Sequence, residues 1–240
     1  MMWVVFLAAL LPALVLGVYV WRQDTQPEPI FQLVKAVLFG VGICIPVALL
    51  ESVISGLLFP SGYETWLGAA EEAFLVAALP EEGFKLLALW IVLRKNPYFD
   101  EHFDGIIYAV CVGLGFAAVE NVSYLFSNLE IWQSVAISRA LLAVPGHYAF
   151  AVLMGYYYSL YHFTQKSFRN AACILLVPVL AHGIYDTLAL SGRIHPYIGG
   201  VGFLLLVLFC FRMHKFARRK MLAQISKDRM EAFEKMVRDC

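Results

Sequence analysis

Hydrophobic residues in this chain are grouped into runs that are long enough to cross a lipid bilayer. A transmembrane helix needs about 20 consecutive, mainly apolar residues, because each residue adds about 1.5 Å across a hydrocarbon core about 30 Å thick. We predict such helices in seven runs, at residues 3–21, 33–59, 73–93, 105–126, 134–161, 171–190 and 196–212. The pattern indicates an all-α fold, a polytopic membrane helix bundle with about seven transmembrane helices.

The composition supports this interpretation. Of the 240 residues, 61% are hydrophobic and 15% are charged, and the mean hydropathy is +0.72. Soluble domains are nearer half apolar and a quarter charged, on average. A lipid bilayer is therefore the expected surrounding, and no nucleic-acid partner is expected. The first run lacks a basic start and a small-residue cleavage site, so we expect a retained helix and not a signal peptide.

Basic residues indicate how the chain is oriented. Most of the 18 Lys and Arg residues lie in alternate loops and in the C-terminal tail. The opposite loops contain only Arg139 and Arg193, and Lys85 lies within a predicted span. Because basic loops stay in the cytoplasm, we predict that the N-terminus is outside and the C-terminus is cytoplasmic.

We predict two parts, a transmembrane domain over residues 1–212 and a cytoplasmic tail over 213–240. Apolar and basic residues are interspersed in the tail, which is typical of an amphipathic helix on the inner membrane surface. The cysteines show no C-x-x-C spacing, and we interpret them as small residues packed between helices. They are Cys44, Cys111, Cys173, Cys210 and Cys240.

Several ionisable residues interrupt the apolar runs. A charge at mid-bilayer costs roughly 2.5–3.5 kcal/mol, and such residues usually mark a functional site. Glu81, Glu82 and Lys85 lie within five positions of one another in the third run. The fourth to sixth runs add further groups, Glu120, His147, His182 and Asp186.

Helical geometry places these groups together. The predicted orientation puts all of them in the outer half of the bilayer or near its midplane. His182 and Asp186 are four positions apart and therefore share one helix face, as do Glu81 and Lys85. We expect one polar site inside the bundle, formed by four helices. Glu51 is expected to pack or to support the site, and Asp100, Glu101 and Asp104 to cap the fourth helix.

Carboxylates and histidines in such a site are suited to activating water and stabilising an oxyanion. No Ser or Cys nucleophile is paired with a His by spacing, and the H-E-x-x-H pattern of zinc proteases is absent. The same residues could bind a metal, so metal-assisted hydrolysis stays open. Two other functions also stay open, a proton- or ion-coupled transporter and a non-catalytic membrane scaffold.

Four ordered motifs resemble those of the PrsW family of intramembrane proteases, relatives of the type II CAAX prenyl proteases. They are E-E-G-F-K at 81–85, F-A-A-V-E-N at 116–121, L-L-A-V-P-G-H at 141–147 and H-G-I-Y-D at 182–186. The segment F-D-E-H-F-D-G-I-I-Y at 99–108 is also similar. The likeness extends from about residue 20 to 212.

The resemblance implies a peptidase of the bacterial inner membrane. Its substrate would be a single-pass membrane protein, such as an anti-sigma factor, cut first on the extracytoplasmic side. Glu81 would be the base that activates water, and Glu82 its neighbour paired with Lys85; the resemblance also allows the reverse order of these two roles. The other implied roles are water or metal binding by Glu120 and His147, oxyanion stabilisation by His182 and Asp186, and support by Phe116 and Asn121.

No cofactor is required in this preferred interpretation. If the enzyme uses a metal, we expect zinc, held by Glu120, His147 and His182.

Overall fold

The computed structural model describes residues 2–239, and over this range the chain is helical, with short loops and no β-strand. Cys240 lies outside the described residues, and the other four cysteines are free. The α-helices are α1 (Met2–Trp21), α2 (Ile30–Leu58), α3 (Trp66–Glu71), α4 (Leu79–Leu93), α5 (Asp104–Ser127), α6 (Trp132–Ser138), α7 (Val144–Ser159), α8 (Phe168–Leu190) and α9 (Pro196–Asp239).

Wider π-helical turns connect some of these helices without a break. The segment Glu72–Ala78 joins α3 to α4, and Arg139–Ala143 joins α6 to α7. A third, Leu160–Thr164, extends α7. Two of the predicted spans are therefore continuous helices that contain a locally widened turn.

Six helices are long and apolar enough to cross a membrane. They confirm the predicted helical membrane bundle and correspond to all the predicted spans except the third, at 73–93. That helix is present, from Trp66 to Leu93, but it contains five charged residues and is therefore not apolar enough to be counted as a transmembrane helix on composition alone. It nevertheless passes from one end of the bundle to the other. Near its start Tyr63 donates to the Leu190 carbonyl (3.2 Å), and beyond its end Asn96 accepts from Gln32 (3.2 Å).

The loops predicted to be cytoplasmic meet at one end of the bundle. Gln26 in the first loop donates to Glu101 in the third. Phe99 packs against Phe163 near the fifth loop, with 4.8 Å between ring centroids. This clustering is what an alternating path through the bundle requires.

The last helix continues through the predicted boundary at residue 212. One face of its C-terminal part is buried against the bundle, through Met213, Ala217, Met221 and Ile225. The expected contact of this tail with the membrane surface is therefore replaced, along this face, by contact with the protein. The division into 1–212 and 213–240 stays a prediction.

Glycines allow the central helices to approach closely. A Cβ atom at Gly40 would overlap the Val112 carbonyl, and one at Gly115 would overlap that of Val37. Helices α2 and α5 thus cross with a glycine on each side, a common way to pack membrane helices. This crossing fixes α5, which contributes Glu120 to the polar site.

Candidate active site

The two glutamates of the third predicted span begin a new helical segment. A π-helical turn ends at Ala78, and Pro80 follows in the first turn of α4, directly before Glu81 and Glu82. His147 has the same local setting, since a π-helical turn ends at Ala143 before α7 begins. Such turns often occur at functional sites, where they change the direction of side chains.

Lys85 is the centre of the polar site. Its ammonium group is 2.8 Å from Glu81 Oε2, 2.8 Å from Glu82 Oε1 and 3.2 Å from His147 Nδ1. The same atom lies 4.3 Å from the centroid of the Phe116 ring. All three of these polar side chains and the lysine are buried, so the lysine balances the glutamate charge inside the bundle.

The hydrogen bonds of His147 indicate its tautomer. Because an ammonium group can only donate, Nδ1 of His147 accepts from Lys85, and its Nε2–H donates to Glu120 Oε2 at 2.7 Å. The same glutamate oxygen is 2.8 Å from Arg139. The Arg139 guanidinium also lies over the Tyr124 ring, 4.0 Å from its centroid. Glu120 therefore accepts a hydrogen bond from His147 and forms an ion pair with Arg139.

His182 lies between two carboxylates. Its Nδ1 is 3.0 Å from Glu82 Oε1, and its Nε2 is 3.2 Å from Asp186 Oδ2. The Phe150 ring stacks on the imidazole, with 4.7 Å between centroids and 18° between planes. An imidazolium in this position would donate to both carboxylates, so the arrangement can hold a positive charge.

The two glutamates differ in their surroundings. Glu81 borders a cavity of about 1150 Å³ that also contacts Glu120, His147, His182 and Asp186. Glu82 does not border it and is fully buried, at 0% exposure. Glu81 is thus the glutamate that a water molecule and a substrate can reach.

Four donor groups are close enough to bind one metal ion. One atom each from Glu81, Glu82, His147 and His182 lies within 4.8 Å of the others. This set differs from the expected one, because Glu120 lies outside it and is held by Arg139 instead.

The two supporting residues have separate roles. Phe116 packs against the lysine, as described above, while Asn121 faces away from the donor cluster. Asn121 donates to the Ala9 carbonyl at 2.9 Å and accepts from Arg139. It therefore links α1 to the arginine that holds Glu120.

Two residues of this region, Arg139 and Phe150, are not among the predicted site residues. Glu51, which is expected to pack or to support the site, borders the large cavity. A basic residue inside the predicted span 134–161 was the signal that could have identified Arg139.

The fold and this site define a class, a helical membrane protein with a buried Glu/His/Asp centre suited to hydrolysis. The model of the PrsW family intramembrane metalloprotease matches residues 28–213. Three similar relatives are each named Protease PrsW. The one from Clostridioides difficile (strain 630) is 36% identical over 75% of this chain and 77% of its own. The relative from Geobacillus kaustophilus (strain HTA426) is 34% identical over 81% of this chain and 83% of its own.

The third relative, from Bacillus subtilis (strain 168), is 31% identical over 81% of this chain and 87% of its own. No solved structure gives a significant match. The chain belongs to the PrsW family of intramembrane proteases, as its motifs predicted.

Membership of this family makes the protein a peptidase. The transporter and scaffold hypotheses are therefore wrong. With six candidate spans, it is a multi-pass protein of the bacterial inner membrane that acts on membrane protein substrates.

Proposed function

We propose that this peptidase makes the first cut, on the extracytoplasmic side, in a single-pass membrane protein such as an anti-sigma factor. Glu81 is the base that activates water in this proposal. The observation that carries it is the position of Glu81, which is part of the buried charge cluster and also borders the large cavity.

The geometry around Glu81 suits general base catalysis. Its Oε2 atom is 4.0 Å from Nδ1 of His147 and 4.0 Å from Nδ1 of His182. A water molecule in the adjacent cavity can give its proton to Glu81 and attack the scissile carbonyl. Glu81 then passes this proton to the leaving amine. His182, held by Asp186, supplies positive charge to the oxyanion.

A metal ion fits the same donors. Buried carboxylates and imidazoles are common zinc ligands, and Oε2 of Glu82 is buried without a hydrogen-bond partner. Glu81, Glu82, His147 and His182 would hold the ion, which would supply Lewis-acid activation of water or of the scissile carbonyl. The description of the family as metalloproteases favours this second candidate mechanism.

The two mechanisms require different positions of the Lys85 side chain. Its ammonium group contacts both glutamates and His147, so it competes with a metal cation for these atoms. In the metal-free mechanism Lys85 stays in place and stays paired with both carboxylates. In the metal-dependent one it must leave at least one of them.

Cleavage of a co-expressed substrate tests the proposed function. We expect the wild type to cut a single-pass anti-sigma factor within or just outside the extracytoplasmic half of its span, as located by mass spectrometry. Glu81→Gln should leave the substrate whole, while Glu64→Gln, at an exposed position, should cut normally. A cut on the cytoplasmic side, or cleavage by Glu81→Gln, would overturn the proposal.

Exhaustive chelation of the purified enzyme separates the two mechanisms. Activity that survives chelation supports catalysis by Glu81 alone. Loss of activity that zinc restores supports the metal-dependent mechanism with the four donors.

A further inference from the structure

A second group of carboxylates lies at the end of the bundle where the predicted cytoplasmic loops meet. One oxygen each from Glu28, Asp100 and Asp104 lies within 4.8 Å of the others. These residues come from the loop before α2, the loop before α5 and the first position of α5. The protease chemistry uses none of them.

Local hydrogen bonds explain only part of this group. Oδ2 of Asp104 accepts from the backbone N–H groups of Asp100 (2.9 Å) and Glu101 (2.6 Å), which precede the helix. The predicted capping of α5 by these acids is wrong, because its N-cap residue, Phe103, has no side-chain capping bond. Oδ1 of Asp104, however, is buried without any partner, and the whole residue is 0% exposed. A buried carboxylate oxygen without a donor is costly, so this atom points to a missing positive partner.

The surrounding charges do not supply that partner. Within residues 2–239 no Lys, Arg or His forms an ion pair with Glu28, Asp100 or Asp104. Two further acids, Asp24 and Glu101, lie nearby. The region is thus rich in negative charge.

The group is accessible and its donors are ordered. Glu28 is buried and accepts from the Tyr108 hydroxyl, whereas Asp100 is exposed. Glu28 and Asp100 also border an open cavity, together with Tyr98. A cation can therefore enter from the aqueous side and complete its coordination with water.

We propose that Glu28, Asp100 and Asp104 bind a hard divalent cation, Ca²⁺ or Mg²⁺. Both ions prefer carboxylate and water oxygens. The cation would join the loop before α2 to the start of α5, the helix that carries Glu120. It would be separate from any metal in the protease site, whose donors include two histidines.

Terbium luminescence tests the proposal directly, because Tb³⁺ replaces Ca²⁺ and is excited by nearby tyrosines. The purified full chain, freed of metals, should give a saturable Tb³⁺ signal from Tyr98 and Tyr108 that Ca²⁺ or Mg²⁺ displaces. Relative displacement by the two ions shows which one the site prefers. In Glu28→Gln and Asp100→Asn the apparent affinity should fall about tenfold or more.

Comparison of variants shows whether the Tb³⁺ signal comes from this site. Asp100 is exposed, so Asp100→Asn tests binding without disturbing buried structure. Glu81→Gln changes the protease site and should keep the Tb³⁺ signal, as should Glu64→Gln. An equal signal in Asp100→Asn and the wild type would mean adventitious binding and would overturn the proposal. Loss of the signal in Glu81→Gln would overturn it as well.

Thermal unfolding gives an independent readout. Binding to the folded state alone raises the unfolding temperature, so millimolar Ca²⁺ or Mg²⁺ should stabilise the wild type but not Asp104→Asn. If neither ion shifts the wild type and Asp104→Asn is the more stable protein, Glu28 and Asp104 share a proton instead of a cation. That outcome contradicts the proposal.

Discussion

At the scale of single residues, Lys85 supplies the positive charge that compensates the buried carboxylates in the bundle. It is the shared partner of Glu81 and Glu82, and it is itself buried. Removing one member of a buried ion pair leaves an uncompensated charge. The cluster is therefore both the proposed catalytic centre and a place where a single substitution can destabilise the bundle.

Replacing the lysine should expose this weakness. We expect Lys85→Met to lower the free energy of unfolding by about 3–5 kcal/mol, because two carboxylates lose their cation. Chemical unfolding in detergent measures the effect. Lys35→Met, at an exposed position, is the matched control. Equal stability of the two variants would show that the cluster does not depend on the ammonium charge.

Arg139 should act on catalysis through Glu120. We expect Arg139→Gln to reduce the cleavage rate roughly tenfold to hundredfold, because Glu120 loses the cationic partner of its ion pair. Arg139→Lys should recover part of the rate. Arg169→Gln is the control, since Arg169 is exposed and does not border the large cavity. Unchanged cleavage by Arg139→Gln would show that the arginine does not contribute to catalysis.

Sequence spacing predicted the residue pairs within one helix. Lys85 with Glu81, and His182 with Asp186, are in contact as their four-residue separation requires. Contacts between helices, such as Arg139 with Glu120, were not predictable from spacing. Nothing local in the sequence gives the rotation of one helix relative to another.

At the scale of the elements, two features position the proposed catalytic groups. The π-helical turns before α4 and α7 direct Glu81 and His147, and the close crossing of α2 and α5 fixes Glu120. The prolines after both turns are visible in the sequence, but the turns themselves are not, because π-helical hydrogen bonding leaves no strong residue pattern. The apolar periodicity shows helices and misses these local changes.

The helix crossing can be tested within α2 alone. We expect Gly40→Ala to lower stability by about 1–3 kcal/mol, since its new methyl group would overlap the Val112 carbonyl. Gly42→Ala should have little effect or be slightly stabilising, because no atom lies within 4 Å of a Cβ at that position. Unfolding measurements on both variants compare the same substitution in the same helix. Equal effects would contradict the crossing.

At the scale of the whole molecule, the chain forms one bundle with its polar groups segregated by depth. The hydrophobic runs predicted all seven long helices of residues 2–239, and six of these are long and apolar enough to cross a membrane by length and composition alone. The Trp66–Leu93 helix is less apolar because it carries charged residues of the polar site, so hydropathy alone does not identify it as a membrane-crossing helix. The sequence also suggested a boundary near residue 212, where composition changes, but backbone hydrogen bonding continues through it.

The predicted orientation can be tested in intact cells. In a background without native cysteines, we expect a membrane-impermeant maleimide to label Ser61→Cys from outside and to leave Lys95→Cys unlabelled until the membrane is opened. Both positions are exposed, so accessibility depends on sidedness. The reverse pattern would invert the orientation and move the protease site to the inner half of the bilayer.

We infer that Glu81 is the base of this membrane-embedded protease. Single-turnover cleavage of a single-pass substrate by the purified enzyme gives the clearest test. In Glu81→Gln the new side-chain amide would still offer Lys85 an oxygen, and Glu82 would still balance the lysine charge. We therefore expect this variant to unfold at nearly the same temperature as the wild type and to cleave at least about 100-fold more slowly. Cleavage at the wild-type rate by the folded variant would contradict the claim.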